Sequence, residues 1–70
     1  MNPNAVRAAR LVYIRDLLME EPRTIAQLAA LCDVQERTIY LDLVTLQIPP
    51  LNVPLQSSAD GHWYILRFDD

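Results

Sequence analysis

Apolar residues recur at intervals of three and four positions in three stretches of the chain. This spacing predicts three amphipathic helices, over residues 3–19, 24–32 and 35–47. Asn2 and Pro3 suit the start of the first helix, and Pro22 ends it. The residues expected to face a common core are Leu11, Ile14, Leu17, Leu18, Val34, Ile39, Leu43 and Leu46.

The boundary between the second and third helices has its own local signals. The stretch "TIAQ", residues 24–27, matches a capping box, in which the Thr24 hydroxyl and the Gln27 side chain each satisfy a backbone amide. "CDV", residues 32–34, is then a tight turn. Asp33 must adopt left-handed backbone angles there, which Asp tolerates better than most residues other than glycine. Pro49 and Pro50 stop the third helix.

The last part of the chain changes to a two-residue alternation. "VPLQSS" and "HWYILRF" flank an Asp60-Gly61 pair, which predicts a β-hairpin over residues 53–68. We expect Trp63 and Ile65 on the outward face of the second strand, together with Arg67. The opposite face then carries Tyr64, Leu66 and Phe68. The predicted fold class is α+β, mainly α, with three helices followed by a two-stranded hairpin.

Composition restricts the function classes. The chain has 70 residues, a net charge of −3, six arginines and no lysine. One Cys and one His exclude an intrachain disulfide and argue against a metal site, and a single glycine leaves no Gly-rich phosphate loop. No catalytic group of residues stands out, so we expect neither an enzyme nor a cofactor. Without a long apolar run or a secretory signal, a cytoplasmic location is expected and a membrane partner is not.

Four stretches carry a family resemblance: "RLVYIRDLL", "TIAQLAALCDV", "ERTIYLDLVTL" and "GHWYIL". Together they resemble DeoR-type winged helices, and most closely the N-terminal DNA-binding domains of WYL-type bacterial regulators. The resemblance covers most of the chain and implies a winged helix-turn-helix domain that binds double-stranded DNA. In such families the third helix enters the major groove and the hairpin, called the wing, touches the backbone or minor groove.

The resemblance also implies roles for individual residues. Arg37, Thr38 and Tyr40 match positions that commonly face DNA. Gln35 stands where a Ser usually caps the recognition helix and donates to phosphate. Thr24 matches a hydroxyl that often meets the DNA backbone.

The chain departs from the family pattern at several positions. Asp33 replaces the usual turn glycine, and Gln35 is a poorer cap than Ser. Leu41 occupies a position where the family typically has Arg, which exchanges a DNA contact for an apolar group. Trp63 and Ile65 make the expected outer face of the wing apolar. The sensor domain that usually follows is missing, so we expect either a stand-alone protein or an excised domain.

Several candidate residues have an ordinary structural explanation beside the functional one. Arg37 can pair with Glu36 or Asp33, and Tyr40 can pack its ring on the core. Leu41 is either a scattered surface residue or a contact for a protein or a thymine methyl group. The remaining interpretations are a structural Asp42 that holds an Arg or a helix end, a small core Cys32, and a His62 that either touches phosphate or is a plain turn residue.

Two surfaces are candidates for association. One is Trp63 with Ile65; the other is the helix-one stripe of Val6, Ala9 and Tyr13, which can pack on the hairpin or on a second copy. The first hypothesis is a regulator that binds DNA as a homodimer and reads half-sites about one helical turn apart. The alternative is a winged helix that docks on another protein and binds little or no DNA, which the acidic charge favours.

Overall fold

Helices and a small sheet alternate along the part of the chain that the computed structural model describes, residues 3–66, with side chains from residue 5. This part forms a mainly helical α+β fold of three helices and a three-stranded antiparallel sheet. The elements in chain order are α1 (Pro3–Glu20), β1 (Arg23–Thr24), α2 (Ile25–Cys32), α3 (Glu36–Gln47), β2 (Leu55–Ser57) and β3 (His62–Ile65). This order is compatible with a winged helix.

The three predicted helices are confirmed, with each end within one residue of its expected position. The capping box is formed: the Gln27 amide donates to Thr24 Oγ1 at 3.1 Å, and the Thr24 amide donates to Gln27 Oε1 at 2.9 Å. Asp33 takes the expected left-handed conformation, with φ 55° and ψ 49°. The amide of Val34 then donates back to the Ala29 carbonyl at 3.0 Å, which closes the turn between α2 and α3.

The sheet contains one strand more than the sequence predicted. β3 lies in the centre, with β2 on one side and β1 on the other. In the β1–β3 pair, Arg23 stands opposite Trp63 and Thr24 opposite His62. A strand of two residues is too short to show an alternating pattern, so periodicity could not reveal it. Its pairing joins the hairpin to the start of α2.

The described hairpin strands are shorter than the predicted 53–68 span, and residues 67 and 68 lie outside the described part. The Leu66 amide still donates to the Pro54 carbonyl at 2.7 Å, which continues the pairing beyond β3. Gly61 has φ 86° in the hairpin turn, a conformation that residues with a Cβ rarely adopt.

The core lies where the three helices meet one face of the sheet, and it contains most of the predicted residues. Leu11 and Val34 are only partly buried and pack against its edge. The buried apolar residues are Ile14, Leu17, Leu18, Leu28, Ala29, Ile39, Leu43, Leu46 and Leu55.

The predicted outward position of Trp63 and Ile65 is wrong. Both side chains are partly buried and pack against the core cluster. β3 is the central strand and contacts α1, so this face of the strand points inward. The hairpin thus packs these two residues against the core, and the structure does not support the expected association surface there.

None of the helices in the described part could cross a membrane. None combines the length and the apolar character that a membrane span requires.

The capping box generates a stability prediction. Thr24→Ala removes the side-chain acceptor for the Gln27 amide and should lower the free energy of unfolding by about 1 kcal/mol. Thr24→Ser keeps the acceptor and should stay close to the unmodified chain. Urea denaturation followed by circular dichroism measures both. Equal stability of the Ala and Ser variants would contradict a structural role for this cap.

Candidate nucleic-acid interface

A buried carboxylate fixes the orientation of α3. Asp42 is 1% exposed and lies on the same side of α3 as Ile39, Leu43 and Leu46. Arg10 on α1 binds it in a bidentate manner: Nε donates to Oδ2, and Nη2 donates to Oδ1 at 3.1 Å. The expectation that Asp42 is structural and holds an arginine is confirmed.

A second arginine extends the connection between α1 and α3. Arg7 Nε lies 3.7 Å from Asp42 Oδ1, and Arg7 Nη2 donates to Thr45 Oγ1 at 2.6 Å. The hydrogen bond to Asp42 is the main cause that raises the pKa of Arg10 above its usual value, so this guanidinium stays charged. The two arginines thus hold one side of α3 against α1 and leave the opposite side free.

The free side of α3 is mostly apolar. Arg37, Tyr40, Leu41 and Val44 follow each other at the i, i+3, i+4 and i+7 positions, so their side chains lie on one helix face. Tyr40 is 55% exposed, Leu41 50% and Val44 40%. We call these four residues the α3 outer face. Tyr40 is too exposed for the alternative in which its ring packs on the core.

Arg37 heads the α3 outer face and is exposed. Within residues 3–66 it forms no ion pair, so the expected alternative of a pair with Glu36 or Asp33 is not observed. The other described arginines all contact carboxylates: Arg7 and Arg10 at Asp42, Arg15 at Asp16, and Arg23 at Glu20 and Glu21. Arg37 is therefore the described guanidinium that is available for an acceptor outside the chain.

The other residues expected to meet DNA border this face or lie at the start of α2. Gln35 is the N-cap of α3; its exposed side chain makes no capping hydrogen bond, which leaves the amide group available. Thr38, in the first turn, is half-buried. Thr24 is half-buried as well, and its oxygen accepts from Gln27 while its own hydrogen can still be donated.

His62 stands in a less favourable setting for phosphate. Its Nδ1 lies 3.0 Å from Asp60 Oδ1. Hydrogen bonds from the Ser58 hydroxyl and from His62 lower the pKa of Asp60 to about 2, so this carboxylate is negative at any ordinary pH. The hairpin turn thus presents a fixed negative charge beside the one histidine, which opposes the expected contact between His62 and DNA.

A separate groove runs along α1, on residues that the sequence singled out. Val6 and Tyr13 are 43% and 45% exposed and line it with Leu31, which is 46% exposed. Cys32 lies at its floor, packs against the core as predicted, and has a thiol pKa that burial raises. The remaining lining residues are Ala9, Arg10 and Val34, so the groove adjoins α2 rather than the hairpin.

Val44 is an exposed position that the sequence analysis did not single out. It lies seven residues after Arg37 and completes the α3 outer face, on the side of α3 opposite to the predicted core positions. Leu28 and Leu31 follow each other at the i and i+3 positions of α2, but only Leu28 is buried. Leu31 is exposed and completes the α1 groove.

Similarity to known proteins adds nothing to this geometry. Comparison with protein-family models, with curated proteins and with solved structures gave no match. In the described residues, no group of three or more His, Cys, Asp or Glu side chains is placed to hold a metal ion. The α3 outer face and the α1 groove both expose large apolar side chains.

The buried ion pair predicts a large difference between two neighbouring arginines. Arg10→Ala leaves the carboxylate of Asp42 buried without its bidentate partner, and should cost about 3 kcal/mol or more in the free energy of unfolding. Arg7→Ala removes a longer contact from a largely exposed side chain and should cost less than about 1 kcal/mol. Urea denaturation of both variants checks this, and equal losses would contradict the assigned role of Arg10.

Proposed function

We propose that this chain is a winged helix-turn-helix module that binds double-stranded DNA in a sequence-specific manner, as in a bacterial transcription regulator. In this proposal α2 and α3 are the helix-turn-helix pair, β2 and β3 form the wing, and α3 is the recognition helix. The observation that carries it is the α3 outer face: it follows a closed left-handed turn, and Arg37 heads it without an internal partner.

The dimensions of α3 suit this role. The major groove of B-DNA is about 12 Å wide and admits one α-helix. With α3 in the groove, the exposed Gln35 amide lies beside its N-terminus, where backbone amides and the helix dipole favour a phosphate. Thr24 lies at the start of α2 and still has a hydroxyl hydrogen to donate. Both residues can then hold the DNA backbone, while Arg37 reaches a base edge or a phosphate.

The negative net charge means that DNA binding needs a second source of affinity. Internal pairs take up most described arginines, and the net charge is −3, so a single copy should bind DNA weakly. We propose a homodimer through the α1 groove, where Val6, Tyr13 and Leu31 are exposed. A dimer doubles the contacts, and helix-turn-helix dimers in general read half-sites about one DNA turn apart. A sensor domain in a longer parent protein is an alternative source of dimerisation.

One observation favours a second candidate function. The α3 outer face carries one charged residue and three large apolar ones, which also suits a module that docks on another protein. The two functions differ in their dependence on salt. DNA binding weakens steeply as salt rises, because it releases counterions. Docking through Tyr40, Leu41 and Val44 should change little over the same range.

Substitution of Arg37 tests the proposed function. Arg37→Ala should weaken binding to a selected duplex by about 1–3 kcal/mol, since it removes the described guanidinium that faces outward. Fluorescence anisotropy at fixed salt measures the affinity. Arg15→Ala is the matched control, because Arg15 is an exposed arginine on α1 that pairs with Asp16. Equal affinities of the two variants would remove Arg37 from the interface.

The dimer generates its own prediction. Tyr13→Ser removes an exposed ring from the α1 groove and should shift sedimentation equilibrium toward the monomer. Val12→Ser is the control, since Val12 is 48% exposed on the same helix but lines a different groove, beside Leu51. A larger shift with the Val12 variant would place the dimer contact on that other groove.

A further inference from the structure

Three large side chains of the α3 outer face lie outside the core of the fold. Tyr40, Leu41 and Val44 lie outside the core cluster, on the side of α3 opposite to the buried Asp42. They begin one turn after Arg37. The face therefore combines the guanidinium group of Arg37, a hydrogen-bond donor, with a short apolar stripe.

We propose that this face reads a short run of DNA in which a guanine is followed by thymines, and that Leu41 and Val44 contact the C5-methyl groups of those thymines. The inference rests on the proposed function and names the sequence class that the site takes. An arginine can donate two hydrogen bonds to the O6 and N7 atoms of guanine, and apolar side chains pack on the thymine methyl group. The DNA surface that matches the α3 outer face in the major groove is thus a guanine edge next to thymine methyl groups.

The spacing along the helix places the three side chains in one row. Seven residues separate Arg37 from Val44, which corresponds to about 10.5 Å along an α-helix. Leu41 lies between the two ends on the same face, so all three side chains can reach base edges when α3 lies in the major groove.

The charged side chains near the α3 outer face are compatible with a contact to the edges of DNA bases. Glu36 precedes Arg37 in the first turn and is exposed, and a carboxylate there can accept from the N4 amino group of a cytosine. The other carboxylate of α3, on Asp42, is buried and bound by Arg10, so it does not oppose a DNA strand on this side. The guanidinium of Arg37 remains available for the acceptor pair of guanine.

The small apolar stripe is large enough for a contact with methyl groups of DNA. Three side chains, each 40–55% exposed, form a patch on the order of the few hundred Å² that ordinary monomers expose. A stable protein interface of standard size buries about 800 Å² on each partner. Methyl groups in the major groove require only a small apolar contact.

Selection from paired DNA libraries tests the inference. One random-sequence duplex library is amplified with dTTP and the same library with dUTP, which lacks the C5-methyl group. The full 70-residue chain is used to select from both, and each enriched duplex is measured by anisotropy with thymine and with uracil. We expect enrichment of guanine followed by thymines, and affinity that falls about fourfold for each contacted methyl group that is removed. Leu41→Ala should lose most of this difference, whereas Val12→Ala, an exposed apolar residue on α1, should keep it.

The outcomes separate the inference from the function on which it rests. An enriched duplex whose affinity is unchanged by uracil would overturn the methyl contacts and leave DNA binding in place. No enrichment from either library, for a chain shown to be folded by circular dichroism, would overturn both, and would direct attention to protein docking through the same face. A Val12→Ala variant that loses the preference as Leu41→Ala does would contradict the assignment to α3.

Discussion

The arrangement of the molecule depends on one buried carboxylate. Asp42 is 1% exposed, and a negative charge at such a site is tolerated only with a close and well-oriented partner. Arg10 supplies that partner from α1 through two hydrogen bonds, and Arg7 adds a longer contact. The pair joins α1 to the inner side of α3, which Ile39, Leu43 and Leu46 also bury, so the outer residues of α3 remain outside. The apolar core provides the driving force of folding, and we propose that the pair adds specificity of orientation.

The same interaction uses two of the arginines and so reduces the positive charge that is available near α3. Arg7 and Arg10 contact Asp42, and the arginines at residues 15 and 23 contact acidic neighbours. What α3 offers outward is Arg37 and an apolar stripe. In the proposed complex with DNA, such a surface would attract phosphate weakly and discriminate base edges, and a second copy would supply much of the affinity.

The sequence was sufficient for features with a local cause. The helical period located the three helices and most of the core, the "TIAQ" stretch indicated the cap at Thr24, and the turn geometry required left-handed angles at Asp33. The sequence did not reveal the features that depend on pairing between residues far apart in the chain. β1 exists because it pairs with β3 some forty positions later, and that pairing makes β3 the central strand. Trp63 and Ile65 therefore face the core, although alternation alone allowed either side. The candidate-site residues at the start of α3 could be predicted from the sequence. The ion pairs that the other described arginines form within the molecule could not.

The most direct test of the central claim is a titration of the isotope-labelled chain with duplex DNA at low salt, followed by amide chemical shifts. We expect the shifts to cluster at Gln35, Arg37, Leu41 and Val44 and the signals of the buried core to stay in place. The effect should diminish as salt is added. Shifts confined to the α1 groove, or a spectrum that DNA leaves unchanged, would contradict the claim that the outer face of α3 is the contact surface.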